Sequence, residues 1–330
     1  MNVRAAALAM LSAALLGGCA AEPPKTAVTL EQLVAEHNAA AGRVEKLWAN
    51  AAISVTMPSR RGNFNWTFSS GTLLVGKSPE HPLGPYDFVL IGKEAGSDVF
   101  RLGSNLEQNV YYLWARFGDD GQIYRGQLNL AGAPGVDIPV DPTQLPAVLN
   151  VLEWPSDLTQ IPTVTMTLHQ GVCKGLFCYK PEYAYVLTYI DRQPLSNRIL
   201  FKREVLVRWS DAEPRRPYQV NFIDPAGKRV MIAKLADYKS VDLGEDADKS
   251  APPVMMPTDI DITWPEKGSR IHLVLSDMTT TKGMPEGASK LVPPGNLPTT
   301  FVDEDLLPVR PATPTRPATA PASAPTGGRQ

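Results

Sequence analysis

The fold is decided by the stretch Leu33–Val55, LVAEHNAAAGRVEKLWANAAISV, because the spacing of its apolar residues changes partway along it. In the first half, apolar side chains recur every three or four residues, which is typical of a helix with one apolar stripe. After Trp48, Ile53 and Val55 alternate with small or polar residues, which is typical of a half-buried strand. The stretch therefore predicts a helix followed directly by a strand.

The helix has a defined start upstream of this stretch. Thr29 and Gln32 have the spacing of a capping box, in which each residue satisfies a free amide of the first turn. We expect a helix of about five turns with its charged side in solvent. Its predicted apolar stripe consists of Leu30, Leu33, Val34, Ala41, Val44 and Leu47.

The rest of the chain is dominated by strand-like alternation. The links between segments are short and contain turn residues such as Gly96-Ser97, so they are too short for crossover helices. We therefore predict an antiparallel meander. Its strand-like segments are Phe64–Phe68, Tyr86–Gly92, Asp98–Leu102, Asn109–Ala115, Gln122–Gln127, Val164–Leu168, Tyr183–Tyr189, Arg198–Trp209, Tyr218–Ile223, Arg229–Tyr238, Ile260–Trp264 and Ile271–Leu275.

One segment within the meander has helical spacing instead. In Asp141–Trp154, the apolar residues Leu145, Val148, Leu149 and Leu152 recur at helical intervals. Proline is tolerated in the first turn of a helix, and Pro155 would end it. We expect a short amphipathic helix here.

The segment Gly71–Ser78, GTLLVGKS, has the form G-x-x-x-x-G-K-S, which is the pattern of a phosphate-binding loop. Such a loop leads into a helix whose amino end holds the phosphates. Here Pro79, Pro82 and Pro85 follow, and they forbid that helix. We therefore predict a strand that ends in a turn, and no nucleotide site.

The amino terminus has the features of an export signal. A positive charge within Met1–Arg4 precedes the apolar run Ala5–Leu16, which is too short to span a bilayer. The ending Leu16-Gly17-Gly18-Cys19 resembles the lipobox of bacterial lipoproteins. This implies a signal peptide of residues 1–18, a lipidated Cys19 and a tether of residues 19–28. An ordinary signal peptide with a chance cysteine is the alternative. In Gram-negative systems an aspartate after the lipidated cysteine retains a lipoprotein in the inner membrane, so Ala20 favours the outer membrane.

The remaining cysteines, Cys173 and Cys178, lie in CKGLFC. Because export leads to an oxidising compartment, we expect a disulfide across the neck of a hairpin. A metal site is the alternative, but two thiolates need two further ligands and only His169 is close in sequence. A redox-active pair would more typically have C-x-x-C spacing.

Composition limits the function classes. With 32 basic and 34 acidic residues among 330, the chain gives no reason to expect nucleic acid as a partner. Residues 285–330 form a tail rich in proline, alanine and threonine, which we expect to be disordered because it has little apolar bulk to bury.

No catalytic pattern is present, so we predict no enzyme activity, no cofactor and no metal. The sequence contains neither H-E-x-x-H nor G-x-S-x-G. His37 lies near the helix stripe and is best interpreted as a packed or half-exposed histidine. Asp259 and Asp261 alternate with Ile260 and Ile262, which favours a solvated outer face over a cation site.

The layout of the chain resembles the LolA/LolB superfamily over most of Thr29–Met284, which we treat as one domain of residues 29–284. The resemblance implies a mainly β fold with helices (α+β). This fold is a curved, incompletely closed antiparallel half-barrel of about eleven strands covered by amphipathic helices. The segments that carry it are LVAEHNAAAGRVEKLWANAAISV, VFRLGSN, NVYYLWAR, DPTQLPAVLNVLEW and MPTDIDITWPEKGSRIHLVLSDM.

The resemblance also implies a function, in which the hollow of the half-barrel holds acyl chains of lipoproteins or lipids. Its partners would be those chains, the membrane that carries the anchor and other envelope proteins. From the alternation we expect Leu145 and Leu149 on the lid. A structural, interaction or sensor lipoprotein with a filled core is the alternative. The expected cavity-lining residues are Val55, Trp66, Phe88, Tyr112, Trp114, Met166 and Tyr185.

Overall fold

The computed structural model describes residues 27–59, 62–77, 86–117, 120–130, 138–157, 163–170, 183–192, 199–209, 215–292 and 297–303. Within these ranges the protein is mainly β, with fifteen strands and two α-helices, α1 (Leu30–Ala41) and α2 (Leu145–Val148). The strands are β1 (Lys46–Ser59), β2 (Gly62–Phe68), β3 (Ser70–Gly76), β4 (Asp87–Glu94), β5 (Ser97–Asn105), β6 (Val110–Phe117), β7 (Asp120–Gln127), β8 (Thr163–Gln170), β9 (Tyr183–Arg192), β10 (Ile199–Arg208), β11 (Pro217–Ile223), β12 (Arg229–Ser240), β13 (Met255–Trp264), β14 (Ser269–Thr279) and β15 (Thr299–Phe301).

All fifteen strands belong to one large, curved and unclosed sheet. Strands β3 to β7 form one antiparallel meander and β8 to β14 form another. Strand β1 joins the two meanders, because it pairs with β3 on one side and with β14 on the other. The sheet therefore runs from β15 at one edge to β8 at the other. The predicted antiparallel meander is confirmed. The expected count of about eleven strands is not confirmed, since the described part of the chain contains fifteen.

Two features add strands to the expected count. Strands β2 and β3 both pair with the same edge of β1. The register of this pairing shifts by one residue at Ser69, so one continuous segment is divided into two strands. Strand β15 pairs in parallel with β7 and comes from the segment assigned to the tail. Since β4 pairs with β3 only from Ser70 onward, the hairpin of β1 and β2 extends beyond the end of β4.

Helix α1 begins as predicted but is shorter than predicted. Thr29 and Gln32 form the capping box. The helix ends at Ala41, because Gly42 caps it and the pairing of β1 begins at Lys46. Val44 and Leu47, which were assigned to the helix stripe, lie in the connection and in β1. Both side chains are buried in the same apolar cluster as the helix residues. The spacing of apolar residues therefore did not distinguish a continued helix from a connection followed by a strand.

The predicted helix over Asp141–Trp154 is also shorter. A 3-10 turn at Pro142–Gln144 leads into α2, which is a single turn. Asn150 adopts a positive φ of 59°, which ends the helical path before Pro155. The prediction that Gly71–Gly76 is a strand is confirmed, since these residues lie in β3.

The boundary of the carboxy-terminal tail needs correction. Residues 285–292 and 297–303, here called the C-terminal strap, lie against strands β5, β6 and β7. Tyr112 Oη donates to the carbonyl of Ser289 at 3.0 Å, and the amide of Ile123 donates to the carbonyl of Pro298 at 2.9 Å. The expected disorder therefore cannot begin at residue 285. The remainder of the tail, residues 304–330, lies outside the described residues.

The two faces of the sheet contribute to separate apolar clusters. The main cluster contains residues from α1, α2 and most strands, and the sheet face that contributes to it is here called the inner face. A second cluster lies on the outer face and consists of Val110, Tyr112, Trp114, Ile123 and Leu291. Leu291 belongs to the C-terminal strap, so the strap covers this outer patch.

Candidate functional site

An open cavity of about 360 Å³ lies between the β1–β2 hairpin and the strands β6 and β7. Its lining is uncharged and mostly apolar. Pockets that hold small ligands are commonly of this size and have this kind of lining. The residues that define it here are Met57, Phe64, Trp66, Leu113, Tyr124 and Pro139.

The hairpin wall of the cavity is amphipathic. Met57 is paired with Phe64, and Val55 is paired with Trp66. The rings of Phe64 and Trp66 stack at 5.0 Å between centroids, and Phe64 is 41% exposed. On the other face of the hairpin, Thr56 Oγ1 donates to Asn65 Oδ1 at 2.7 Å. Cross-strand pairs of this kind hold the hairpin together, so the apolar wall is formed without a ligand.

The predicted lining residues do not all reach this cavity. Trp66 lines it. Val55, Phe88 and Tyr185 lie in the main cluster, and Met166 packs against that cluster. Tyr112 and Trp114 lie in the outer cluster instead. Their neighbours along β6, Tyr111 and Leu113, lie on the inner face. The prediction for β6 was therefore wrong by one residue. A shift of one residue along a strand exchanges the side chains of its two faces.

Sequence reasoning missed Leu113 and Tyr124 as lining residues, and it did not assign Met57 to the lining. Met57 carried a usable signal, since it continues the alternation of Ile53 and Val55 along β1. No signal in the sequence indicates that the hairpin extends past β4 and so leaves space beneath it.

The predicted lid residues are deeply buried. Leu145 and Leu149 are each 1% exposed and belong to the main cluster. The turn that precedes them is fixed by Asp141, which accepts from the amide and the hydroxyl of Thr143. Burial raises the pKa of the Asp141 carboxyl above its usual range. Trp264 Nε1 donates to Gln144 Oε1 at 3.2 Å and joins this turn to β13.

Helix α1 is attached to the segment after α2 by a clamp, here defined as His37 and Asn38 with Leu152 and Trp154. Asn38 Nδ2 donates to the Trp154 carbonyl, and the Trp154 amide donates to Asn38 Oδ1, both at 2.7 Å. The ring of His37 stacks on Trp154 at 3.7 Å, and its Nε2 donates to the Leu152 carbonyl at 2.6 Å. The interpretation of His37 as a packed histidine is confirmed.

The clamp gives a first testable prediction. Asn38→Ala removes both hydrogen bonds and leaves the backbone groups of Trp154 unpaired in a partly buried position. We expect the free energy of unfolding to fall by about 2 kcal/mol, because an unsatisfied buried group costs its full desolvation. Chemical denaturation measures this. Asn50→Ala is the control, since the exposed bond of Asn50 to Asp277 should contribute only about 0.5 kcal/mol. Equal losses in the two variants would contradict the clamp.

The charged pairs of the sheet lie away from the cavity. Asp261 receives two hydrogen bonds from Arg270, and Asp259 lies 2.9 Å from Nε2 of His272. These carboxylates are partly exposed, which agrees with a solvated outer face. Among the described residues, no group of three histidine, cysteine, aspartate or glutamate side chains could hold a metal.

Several predicted features lie outside the described residues. They are Cys19 with the signal and most of the tether, and Cys173 with Cys178. Lipidation and the disulfide therefore stay predictions. Within the described ranges, no helix has the length and hydropathy needed to cross a bilayer.

Comparison with known proteins gives structural neighbours only. No protein-family model and no curated protein matches the chain. The structure is similar to that of a DUF1329 family protein from Desulfovibrio piger, with a TM-score of 0.45 and 10% identity over 79% of this chain and 95% of that one. It is also similar to a domain from Vibrio parahaemolyticus named as a candidate outer membrane lipoprotein-sorting protein, with a TM-score of 0.42 and 13% identity over 79% and 95%.

A third neighbour is a LolA superfamily protein from Nitrosomonas europaea, with a TM-score of 0.40 and 16% identity over 80% of this chain and 99% of that one. This is the superfamily that the sequence resembles.

Proposed function

We propose that the protein is a membrane-anchored periplasmic lipoprotein that holds an acyl chain in the cavity beside the β1–β2 hairpin. Its cargo is the acyl chain of a lipoprotein or a lipid, and its role is in lipoprotein sorting or lipid transport at the outer membrane. The anchor is the lipidated Cys19. Binding and release involve no covalent chemistry, so the protein is not an enzyme.

The observation that carries the proposal is the open apolar cavity and its position. The cavity is continuous with the main cluster, since Met57 belongs to that cluster and Trp66 packs against it. Phe64 stands exposed at the cavity wall and offers an apolar surface to an entering chain. Burial contributes about 0.8 kcal/mol per methylene, so a chain of several methylenes is held by the hydrophobic effect alone.

A second candidate is a structural, interaction or sensor lipoprotein without lipid cargo. The extent of the main cluster favours it, because large inner-face side chains such as Phe88, Leu90 and Leu102 are almost fully buried and already fill much of the interior. The cavity then serves as a contact surface for another envelope protein. Direct measurement of acyl-chain binding separates the two candidates.

Acyl-chain binding is tested with a charge placed at the cavity wall. Because the Phe64 side chain is already partly exposed, we expect Phe64→Glu to fold. The new carboxylate would lie against the apolar ligand. We expect the affinity for a fluorescent fatty acid, dansylundecanoic acid, to fall at least about tenfold, because the carboxylate must lose hydration when the chain binds. The emission of the probe during titration gives the affinity.

The matched control is Val274→Glu. Val274 is 46% exposed, lies on β14 and does not line the cavity. Its variant should bind the probe like the original protein. The proposal is rejected if the original protein does not bind the probe, or if the two variants lose affinity equally.

A further inference from the structure

The C-terminal strap crosses from the outer face of the sheet to its inner side. Leu291 packs in the outer cluster. After β15, Val302 is 8% exposed and belongs to the main cluster. The next residue, Asp303, is 2% exposed, and its carboxylate accepts from the amide of Gln127 at 2.6 Å. The strap therefore passes around the edge of the sheet and ends on the inner side, beside the last residue of β7.

The end of the strap lies close to the acyl-chain cavity. Gln122 Nε2 donates to Thr300 Oγ1 at 2.8 Å, and Thr300 is paired with Tyr124. Gln122 and Tyr124 both line the cavity. Tyr124 precedes Gln127 by three residues on β7, which is about 10 Å along a strand. Asp303, which is bound to Gln127, is therefore separated from the cavity by only a short distance along the same strand.

The segment that follows the strap has a composition suited to this cavity. Within residues 304–330, leucine and valine occur only at Leu306, Leu307 and Val309, and isoleucine, methionine and aromatic residues are absent. These three residues and Pro308 form an uncharged group, here called the LLPV segment. The cavity lining is likewise uncharged and mostly apolar. The LLPV segment can therefore be buried there without burying a charge, which would be costly.

The length of the chain allows the LLPV segment to reach the cavity. Two residues, Glu304 and Asp305, separate the strap from Leu306. Three extended residues span at most about 11 Å, which matches the distance back along β7 to Tyr124. The LLPV segment then spans about another 10 Å, which is the distance from Tyr124 to Gly121 along the cavity lining. A short linker gives an effective concentration on the order of millimolar, so weak apolar contacts are sufficient for docking.

We propose that the LLPV segment docks in the acyl-chain cavity of its own chain and must leave before cargo enters. Docking would cover the apolar cavity wall, where Phe64 is 41% exposed, whenever cargo is absent. The segment then acts as an internal competitor, and the apparent affinity for cargo is reduced by the fraction of chains in which the cavity is accessible. Competition with an acyl chain rests on the proposed function, whereas docking itself does not.

Docking is tested without lipid by photo-cross-linking. The chain from residue 19 with Cys19→Ser carries no lipid, so the experiment needs no detergent that could enter the cavity. The photoreactive residue p-benzoylphenylalanine replaces Leu307, and mass spectrometry maps the cross-links. We expect cross-links within one chain to the peptides that contain Phe64 or Tyr124. The same photoreactive residue in place of Ala324 is the control and should not label these peptides. Cross-links to other surfaces overturn the proposal, and cross-links between two chains assign the segment to a second copy instead.

Competition is tested by titration with dansylundecanoic acid. Leu307→Glu should release the segment and raise the affinity for the probe at least about fivefold, because the cavity is then accessible in all chains. Ala324→Glu places the same charge further along the tail and should bind like the original protein. An unchanged affinity in Leu307→Glu rejects the internal competitor.

The two experiments distinguish failure of this inference from failure of the proposed function. Cross-linking to the cavity without any probe binding supports docking and rejects the acyl-chain function. Probe binding that Leu307→Glu does not change, without cross-links to the cavity, overturns docking and leaves the acyl-chain function intact.

Discussion

Replacing Gly71 with alanine is expected to destabilise the protein by about 3 kcal/mol, the upper end of the usual cost of overpacking a core, because the neighbouring atoms cannot move. A Cβ atom at Gly71 would lie 2.6 Å from the carbonyl oxygen of Ile91 and 2.8 Å from that of Ala51. Both contacts are with backbone of adjacent strands, so no side chain can rotate to relieve them. Thermal and chemical denaturation measure the loss.

Gly76→Ala provides the matched control within the same segment. A Cβ atom there would lie 3.7 Å from its nearest neighbours, which is ordinary contact. We expect its stability to change by less than about 1 kcal/mol, since Gly→Ala at a compatible site is neutral or favourable. A phosphate-binding loop would need both glycines, whereas a strand needs only Gly71. Similar losses in the two variants would contradict the strand interpretation of GTLLVGKS.

The second large effect concerns acid. Burial lowers the pKa of His37 from 6.5 to about 4, and the hydrogen bond to Leu152 opposes this shift only in part. The folded protein therefore favours the neutral ring. The contribution of His37 to the free energy of unfolding is fully present above pH 6.5 and is lost as the pH decreases toward 4. A shift of this size corresponds to about 3 kcal/mol. Because His37 keeps partial solvent access, we treat that value as an upper limit.

The acid effect is isolated by comparison with His37→Gln. Glutamine can donate to the Leu152 carbonyl but does not titrate, so this variant starts less stable and lacks the histidine contribution. The free energy of unfolding is measured for both proteins between pH 7 and pH 4. We expect their difference to shrink as the pH falls. A constant difference over this range would show that His37 is not held neutral in the fold.

The limits of the sequence prediction are clearest on strand β6. All residues from Val110 to Ala115 are buried, because the main cluster covers one face and the C-terminal strap covers the other. Alternation between apolar and polar residues is therefore absent, and nothing in the segment fixes its register. On β1, where the outer face is more polar, the inward prediction for Val55 agrees with its place in the main cluster.

The strap itself could not be predicted from its composition. It is held by the short pairing of β15 with β7, by hydrogen bonds to side chains and by a few apolar residues, such as Leu291, that fit partners distant in sequence. Proline-rich segments of this kind usually indicate disorder. The cavity beside the β1–β2 hairpin could not be predicted from the sequence either, because it results from the difference in length between neighbouring strands. The sequence predicted Trp66 as a lining residue, but it did not predict Leu113 or Tyr124.

The central claim is that the protein carries an acyl chain, and native mass spectrometry of the mature chain purified from the cell envelope tests it most directly. Lipid extraction of the same sample identifies any adduct. The account predicts a stoichiometric adduct, beyond the mass of the anchor, that corresponds to a phospholipid or an acylated peptide. A mass without adduct that stays unchanged after incubation with lipid vesicles and with an acylated peptide would contradict the account.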